Sequence, residues 1–476
     1  MSSPGLLRGG SGRVARIATV VCALVVGALI VYQTTLALAL AAIVVFILLW
    51  VWRPLYVLVV PAFWAVMADP VFLKLTGAAG QNSVSRVLDG WTALALIAAV
   101  VTVFSSGRTK TVLRDPAAIG VLLLWGCFGV AQMLGGNHLD AEKYWQGEVR
   151  ALIFAGWMIV ILILAMAPRA TPWIGRLLAV MTGVAVTKGL VYWVFGIGIY
   201  QTTNGYFRLF GSEEATIGLF ALAIGLANLA RSDSGRNRTL WLCIFGGGAG
   251  LLVLSSLRAY WGFALLAILV VWVLEARLGM ATSFRLFIGL VTGTVLGVLV
   301  LRYVATSFYS QAVASRLQTL LSGDFAGDAS FGYRIAELAG VVSAVDGRWL
   351  FGAGFGSIQR TALSLFVGDA ALEQTLLRYV HNSLLWAFLK SGLLGVAGVI
   401  VFYWGMMAAS LKGASRTMPP VVVATSVGTF AALVALVGTD FFNAHLASPR
   451  YMIILSFAVA YAVAQASTPV AESSLS

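Results

Sequence analysis

The chain has 476 residues, of which 60% are hydrophobic and 10% charged, with a mean hydropathy of +0.94. Such a composition excludes a soluble multidomain enzyme and fits a chain that crosses a bilayer many times. The formal net charge of +13 would suggest nucleic acid in a soluble protein, but here Lys and Arg gather beside apolar runs. The positive-inside rule accounts for that placement, and no nucleic-acid partner is expected.

Apolar runs fall at roughly 15–32, 35–52, 54–68, 88–104, 117–134, 151–167, 177–195, 213–230, 239–256, 259–274, 286–304, 392–410, 421–438 and 451–466. Several are shorter than the ~20 residues of a full span. The expectation is therefore an all-α polytopic membrane protein of twelve to fourteen helices. Arg8, Arg13 and Arg16 precede an apolar segment with no clear cleavage site, so the first run reads as a membrane helix. Cys22, Cys127 and Cys243 lie within apolar runs and suggest neither a disulfide framework nor a metal site.

Short connections rich in Arg and Lys, such as Arg108, Lys110 and Arg114, alternate with poorer ones such as that of Lys74 and Arg86. This asymmetry puts the N-terminus in the cytoplasm and 305–391 outside. The expected organisation is N-terminal spans over 1–304, an extracytoplasmic helical loop over 305–391, C-terminal spans over 392–466 and a disordered tail over 467–476. Within the loop, Ser310–Leu321 and Phe331–Val345 read as amphipathic helices, split by the turn-rich stretch Ser322–Asp328. The glycines of Phe351-Gly352-Ala353-Gly354-Phe355-Gly356 lack the strand–turn–helix context of a nucleotide loop. They read as a bend where backbone approaches a substrate or another helix.

Next comes His381-Asn382, followed by Leu384, Leu385, Phe388 and Leu389 at helical spacing, then Gly392 and Gly395 before a long apolar run. A surface helix, a glycine bend and a span would place His381 at the boundary of water and lipid. The outer segment also carries Arg316, Arg334, Arg348, Arg360 and Arg378, with Arg208 and Arg258 in short outer turns. Any one of them fits ion pairing with Asp324, Asp328, Glu337, Asp346 or Glu373, or with lipid phosphates. As a set beside His381 they suggest a phosphate-rich ligand, because guanidinium groups grip phosphate bidentately and stay charged. Arg258 stands in a tight turn between two spans, where a charge is costly and is usually paired or functional. Lys188 falls inside a span and is either functional or snorkelling. Asp69, Asp89, Glu213, Glu214 and Asp440 sit near span ends without forming a paired metal motif. His138 and His445 have no ligand spacing with another His or Cys.

His-Asn, nine residues, Gly, two residues, Gly resembles the signature of the O-antigen ligase family, which includes many surface-polysaccharide polymerases. Ser255-Ser256-Leu257-Arg258 resembles that family's Ser-Arg motif after a span. Arg208 matches, less specifically, its arginine before the next helix. Arg334 and the Gly352–Gly356 stretch match its arginine helix and glycine-rich segment. The resemblance covers roughly residues 200–410.

The resemblance implies a membrane glycosyltransferase in the bacterial inner membrane, with its site facing the periplasm. The donor would be a glycan on undecaprenyl pyrophosphate. The acceptor would be a saccharide hydroxyl, on lipid A-core for a ligase or on a lipid-linked repeat unit for a polymerase. Neither nucleotide nor metal would be needed, and one direct displacement would invert the anomeric carbon. His381, Arg258 and Arg334 are then the expected catalytic residues, and Arg208, Asn382, Lys188, Gly354 and Gly356 the expected substrate-binding ones. Two other classes compete. A flippase or transporter of lipid-linked sugars predicts charges along a path across the membrane. A metal-dependent lipid-sugar transferase would use an outer carboxylate such as Asp69.

Overall fold

The computed structural model describes residues 34–69, 82–107, 109–135, 142–167, 170–195, 199–201, 206–208, 210–232, 235–255, 257–279, 329–357 and 380–467. The predicted runs at 15–32 and 286–304, the predicted helix Ser310–Leu321 and the turn Ser322–Asp328 lie outside these residues. In order, the described helices are α1 (Thr34–Trp52), α2 (Val59–Met67), α3 (Asn82–Ser105), α4 (Thr109–Leu113), α5 (Pro116–Leu134), α6 (Glu142–Phe154), α7 (Trp157–Ala165) and α8 (Ala170–Val194). A short antiparallel hairpin follows, β1 (Ile199–Gln201) with β2 (Tyr206–Arg208). Then come α9 (Ser212–Arg231), α10 (Gly235–Ser255), α11 (Arg258–Arg277), α12 (Ala329–Val345), α13 (Ser383–Ser410), α14 (Pro420–Asp440) and α15 (Pro449–Ser467).

Apart from that hairpin the fold is all-α, as expected for a polytopic membrane protein. Among the described residues, ten helical segments are long and apolar enough to cross a membrane, and two shorter apolar helices cover Ala41–Trp52 and Pro54–Met67. Helices suit hydrocarbon because they satisfy most of their backbone hydrogen bonds internally.

The middle of the bundle is α9, whose apolar window is 89% buried, with α15 at 78% and α14 at 72%. Packing this close depends on small residues. A Cβ on Gly248 would stand 2.5 Å from the backbone nitrogen of Leu222, and one on Gly428 would stand 2.5 Å from the Cα of Ile224. Helices in lipid gain from such backbone approach, because lipid tails give side chains no hydrophobic reason to leave them.

The bend predicted after His381 is present. Inside α13, Gly392 has φ 59 and ψ −151, a region open essentially to glycine alone. The break frees backbone groups, and the segment after α12 supplies partners for them. Leu393 N–H donates to Trp349 O at 2.8 Å, Leu394 N–H to Leu350 O at 3.3 Å, and Ala353 N–H to Leu389 O at 2.7 Å. Gly352 (φ 74) lies against the kink, and a Cβ there would be 2.5 Å from the nitrogen of Gly392. The half-helix before the kink packs one side against protein. Trp386, Ala387, Leu389 and Lys390 are buried, and the Trp386 ring packs against Phe128 and Phe355.

Gly392→Ala and Gly352→Ala should each destabilise the protein by about 2–5 kcal/mol, combining a left-handed backbone with a backbone clash. Gly90→Ala, with nothing within 4 Å of its new methyl, should not. Thermal unfolding of the three variants in detergent checks this ordering.

Candidate functional site

One end of the bundle carries a continuous set of polar contacts. His381 precedes α13, and Asn382 is that helix's N-cap. The Asn382 side-chain oxygen accepts from Leu384 N–H at 2.8 Å and Leu385 N–H at 3.0 Å. It thereby satisfies amide donors that the first helical turn leaves open. The cap fixes the backbone of its neighbour, so His381 stands at a defined point.

Glu337 on α12 completes that definition. Its carboxylate accepts the His381 backbone N–H at 3.1 and 3.0 Å and meets Nδ1 at 3.1 Å. The Glu337 side chain is 1% exposed, whereas that of His381 is 29% exposed. A proton on Nδ1 would point at the carboxylate and put the ring's lone pair on Nε2. The buried carboxylate would then stabilise the imidazolium formed when Nε2 takes a proton.

Arg334 stands one turn before Glu337, on the same face of α12 at i, i+3. Its guanidinium lies 5.1 Å from the centroid of the Phe442 ring, and Nη2 donates to Phe442 O at 3.4 Å. Phe442 belongs to the connection between α14 and α15. That connection also reaches α13, where Ser383 Oγ donates to Asn443 O at 3.2 Å.

The same connection is pinned from below. His445 is fully buried, with Nδ1 against Asp440 and Nε2 2.8 Å from Tyr260 OH. Tyr260 OH lies 2.7 Å from Thr216 Oγ1 and donates to Ser212 O at 2.9 Å. Asp440 also accepts from Tyr403 OH, which lies 2.8 Å from Tyr451 OH. Lacking any His or Cys at ligand spacing, His445 carried no sequence signal for this role. Its hydrogen-bond partners, Asp440 and Tyr260, come from α14 and α11.

Arg258 opens α11 in the predicted tight turn, two residues before Tyr260. On the same helix, the Phe263 ring is 6.1 Å from that of Phe442, the residue beneath Arg334. The backbone therefore brings the α11 start and the Arg334 helix to one connection. Arg208 ends β2, paired in register with Ile199 and just before the N-cap of α9.

The glycine stretch is a bend held by protein groups. Gly354 and Gly356 have φ 90 and 79. Phe355 N–H donates to Gln132 Oε1 at 3.0 Å, and Gly356 N–H to Glu148 Oε2 at 2.6 Å. Lys390, buried in the first half of α13, reaches Glu148 Oε1 at 2.7 Å and Ser357 O at 2.6 Å. A Lys390–Glu148 pair was not apparent in the sequence, because its members are far apart along the chain.

Lys188 lies in a second buried group. Its ammonium meets Asp69 Oδ2 and Glu214 Oε1, both at 2.7 Å, and donates to Val66 O at 2.5 Å. Arg450 pairs with Glu214 from α15, and Ser448 Oγ donates to Glu213 Oε1 at 2.7 Å. Tyr192 OH donates to Asp69. Arg450 stands in the first turn of α15. A Glu-Glu pair opening one span and an Arg opening another was the available hint.

The fold and this polar end define a multi-pass helical membrane protein with a histidine–carboxylate pair at one end of its bundle. No family model matches the chain, and no curated protein matches it in sequence.

Lys188→Met would leave Asp69 and Glu214 buried without their ammonium, at a cost of about 3–5 kcal/mol. Purified Lys188→Met should therefore melt well below the wild type with no substrate present. An unchanged melting temperature would mean that the ion pairs do not hold this end together.

Proposed function

We propose that the chain transfers a glycan from undecaprenyl pyrophosphate to a saccharide hydroxyl, outside the inner membrane, during surface-polysaccharide assembly. The observation that carries the proposal is the His381–Glu337 pair at the end of the bundle, with Arg334 one turn away on the carboxylate's own helix. The O-antigen ligase-like pattern at Arg208, Arg258, Arg334, Gly352–Gly356 and His381–Gly395 adds support of a different kind.

In this reading the acceptor oxygen attacks the anomeric carbon and the bond from that carbon to the pyrophosphate oxygen breaks. Nε2 of His381 takes the acceptor proton, and Glu337 offsets the charge that forms on the ring. Undecaprenyl pyrophosphate leaves as an anion. Arg334 and Arg258 would offset the negative charge growing on it. Asn382, Gly354 and Gly356 hold the walls through caps and backbone bonds. Lys188 serves the same end from within its ion-pair cluster.

That cluster also weighs on the rivals. Lys188 was the one charge expected well inside a span, and it is closed off by Asp69 and Glu214 rather than set along an open path. Asp69, offered as a metal ligand, is already engaged by Lys188 and Tyr192.

The experiment is reconstitution with a defined undecaprenyl-pyrophosphate glycan and candidate acceptors. One addition to lipid A-core marks a ligase, and a growing ladder on the carrier marks a polymerase. His381→Ala should lower turnover by about 10²–10⁴-fold at normal membrane abundance. Glu337→Gln, which removes the charge but keeps the shape, should lower it at least about tenfold. Near wild-type turnover in both variants would remove the pair from the chemistry.

Arg258→Lys and Arg334→Lys should each impair transfer strongly, since a point charge cannot replace a planar bidentate grip. Transfer should persist in excess EDTA. Loss with chelator and recovery with magnesium or manganese would move the protein to a metal-dependent class.

A further inference from the structure

The opposite end of the bundle holds a cavity of about 270 Å³ lined by Lys110, Thr111, Arg114, Asp115 and Lys412. Lys110 and Thr111 come from α4, a short helix joining two long ones. Asp115 is the N-cap of α5, accepting from Ala117 N–H at 2.9 Å. Lys412 follows directly on α13, at the end away from His381, and its ammonium meets Asp115 Oδ2 at 2.6 Å. Three cations thus face one carboxylate that is already shared between a helix cap and Lys412.

The surroundings are apolar and outward-facing. Leu113 is 49% exposed, Phe104 71% and Leu411 36%. Leu113 and Leu411 adjoin Arg114 and Lys412 in the chain, and Phe104 stands near the end of α3, which leads into α4. A cationic cavity at a helix end with lipid-facing side chains beside it matches a phospholipid in both of its parts. A soluble phosphate would use the charges but not the apolar flank.

We propose that this cavity binds the phosphate headgroup of an anionic phospholipid, with Lys110, Arg114 and Lys412 on the phosphate and Thr111 as a hydroxyl donor. Asp115 holds Lys412 in place, so the cavity keeps a net positive field. The site is independent of the glycan-transfer reading, since it lies at the other end of the molecule. Each cation near the phosphate contributes about a fivefold preference for an anionic over a zwitterionic lipid.

Native mass spectrometry of the purified protein, titrated with phosphatidylglycerol or phosphatidylcholine, tests the proposal. The wild type should retain phosphatidylglycerol in preference. Lys110→Gln/Arg114→Gln should lower that preference by about 25-fold, and Lys110→Gln alone by about fivefold. Both residues are exposed, so the fold should survive, and the single variant keeps the test available if the double one aggregates. Arg53→Gln/Arg238→Gln removes two exposed cations outside the cavity lining and should leave the preference unchanged. Equal losses in the two double variants would mean a general positive field and overturn the site. So would no loss in either. Displacement of phosphatidylglycerol by millimolar inorganic phosphate would overturn the lipid assignment in favour of a free-phosphate site.

Discussion

Charges withdrawn into an apolar bundle must find partners, and at the His381 end that requirement ties the fold together. An unpaired buried charge costs several kcal/mol in an interior this dry. Lys188, Asp69, Glu214 and Arg450 meet that demand among themselves, so α8, the segment just after α2, α9 and α15 must assemble together. Lys390 and Glu148 do the same for α13 and α6. No pair can form from local sequence alone, and so the polar end exists only once most of the chain has folded.

The connection between α14 and α15 links these groups to the site. It carries the carbonyl and ring that hold Arg334, the carbonyl that meets Ser383, and His445, which is fixed between Asp440 and Tyr260. Buried polar groups held by several partners resist displacement, because a shift would leave polar atoms unpaired. In the proposed reaction that rigidity would serve His381, since an oriented charge needs no reorganisation as a reaction proceeds. His445 and His381 thus divide the labour. His445 is closed in and structural, and His381 is backed by a carboxylate and partly exposed.

Much of this was legible in the sequence. Hydropathy found the spans because lipid leaves the backbone few options, and glycine spacing found the kink at Gly392. The α12 helix followed from its periodicity. The partners were harder to see. Glu337 was read as one of several carboxylates that might pair with arginines, yet it holds His381, 44 positions away. The pairings of Arg450 with Glu214, His445 with Tyr260 and Lys390 with Glu148 join distant helices, and local spacing carries no record of them. The half-helix after His381 looked like a surface element. Its apolar stripe is there, but protein takes up much of the helix surface: Trp386 packs against Phe128 and Phe355, and Phe388 against Trp349.

The central claim is that one imidazole, braced by one carboxylate, serves a single displacement at a glycan's anomeric carbon. The most direct measurement is the anomeric configuration of the new linkage, read by NMR on product made from a donor of known configuration. The account predicts inversion, because the acceptor enters opposite the departing pyrophosphate and no enzyme-bound glycan intervenes. Retention of configuration, or no transfer from carrier to acceptor by the purified protein, would contradict it.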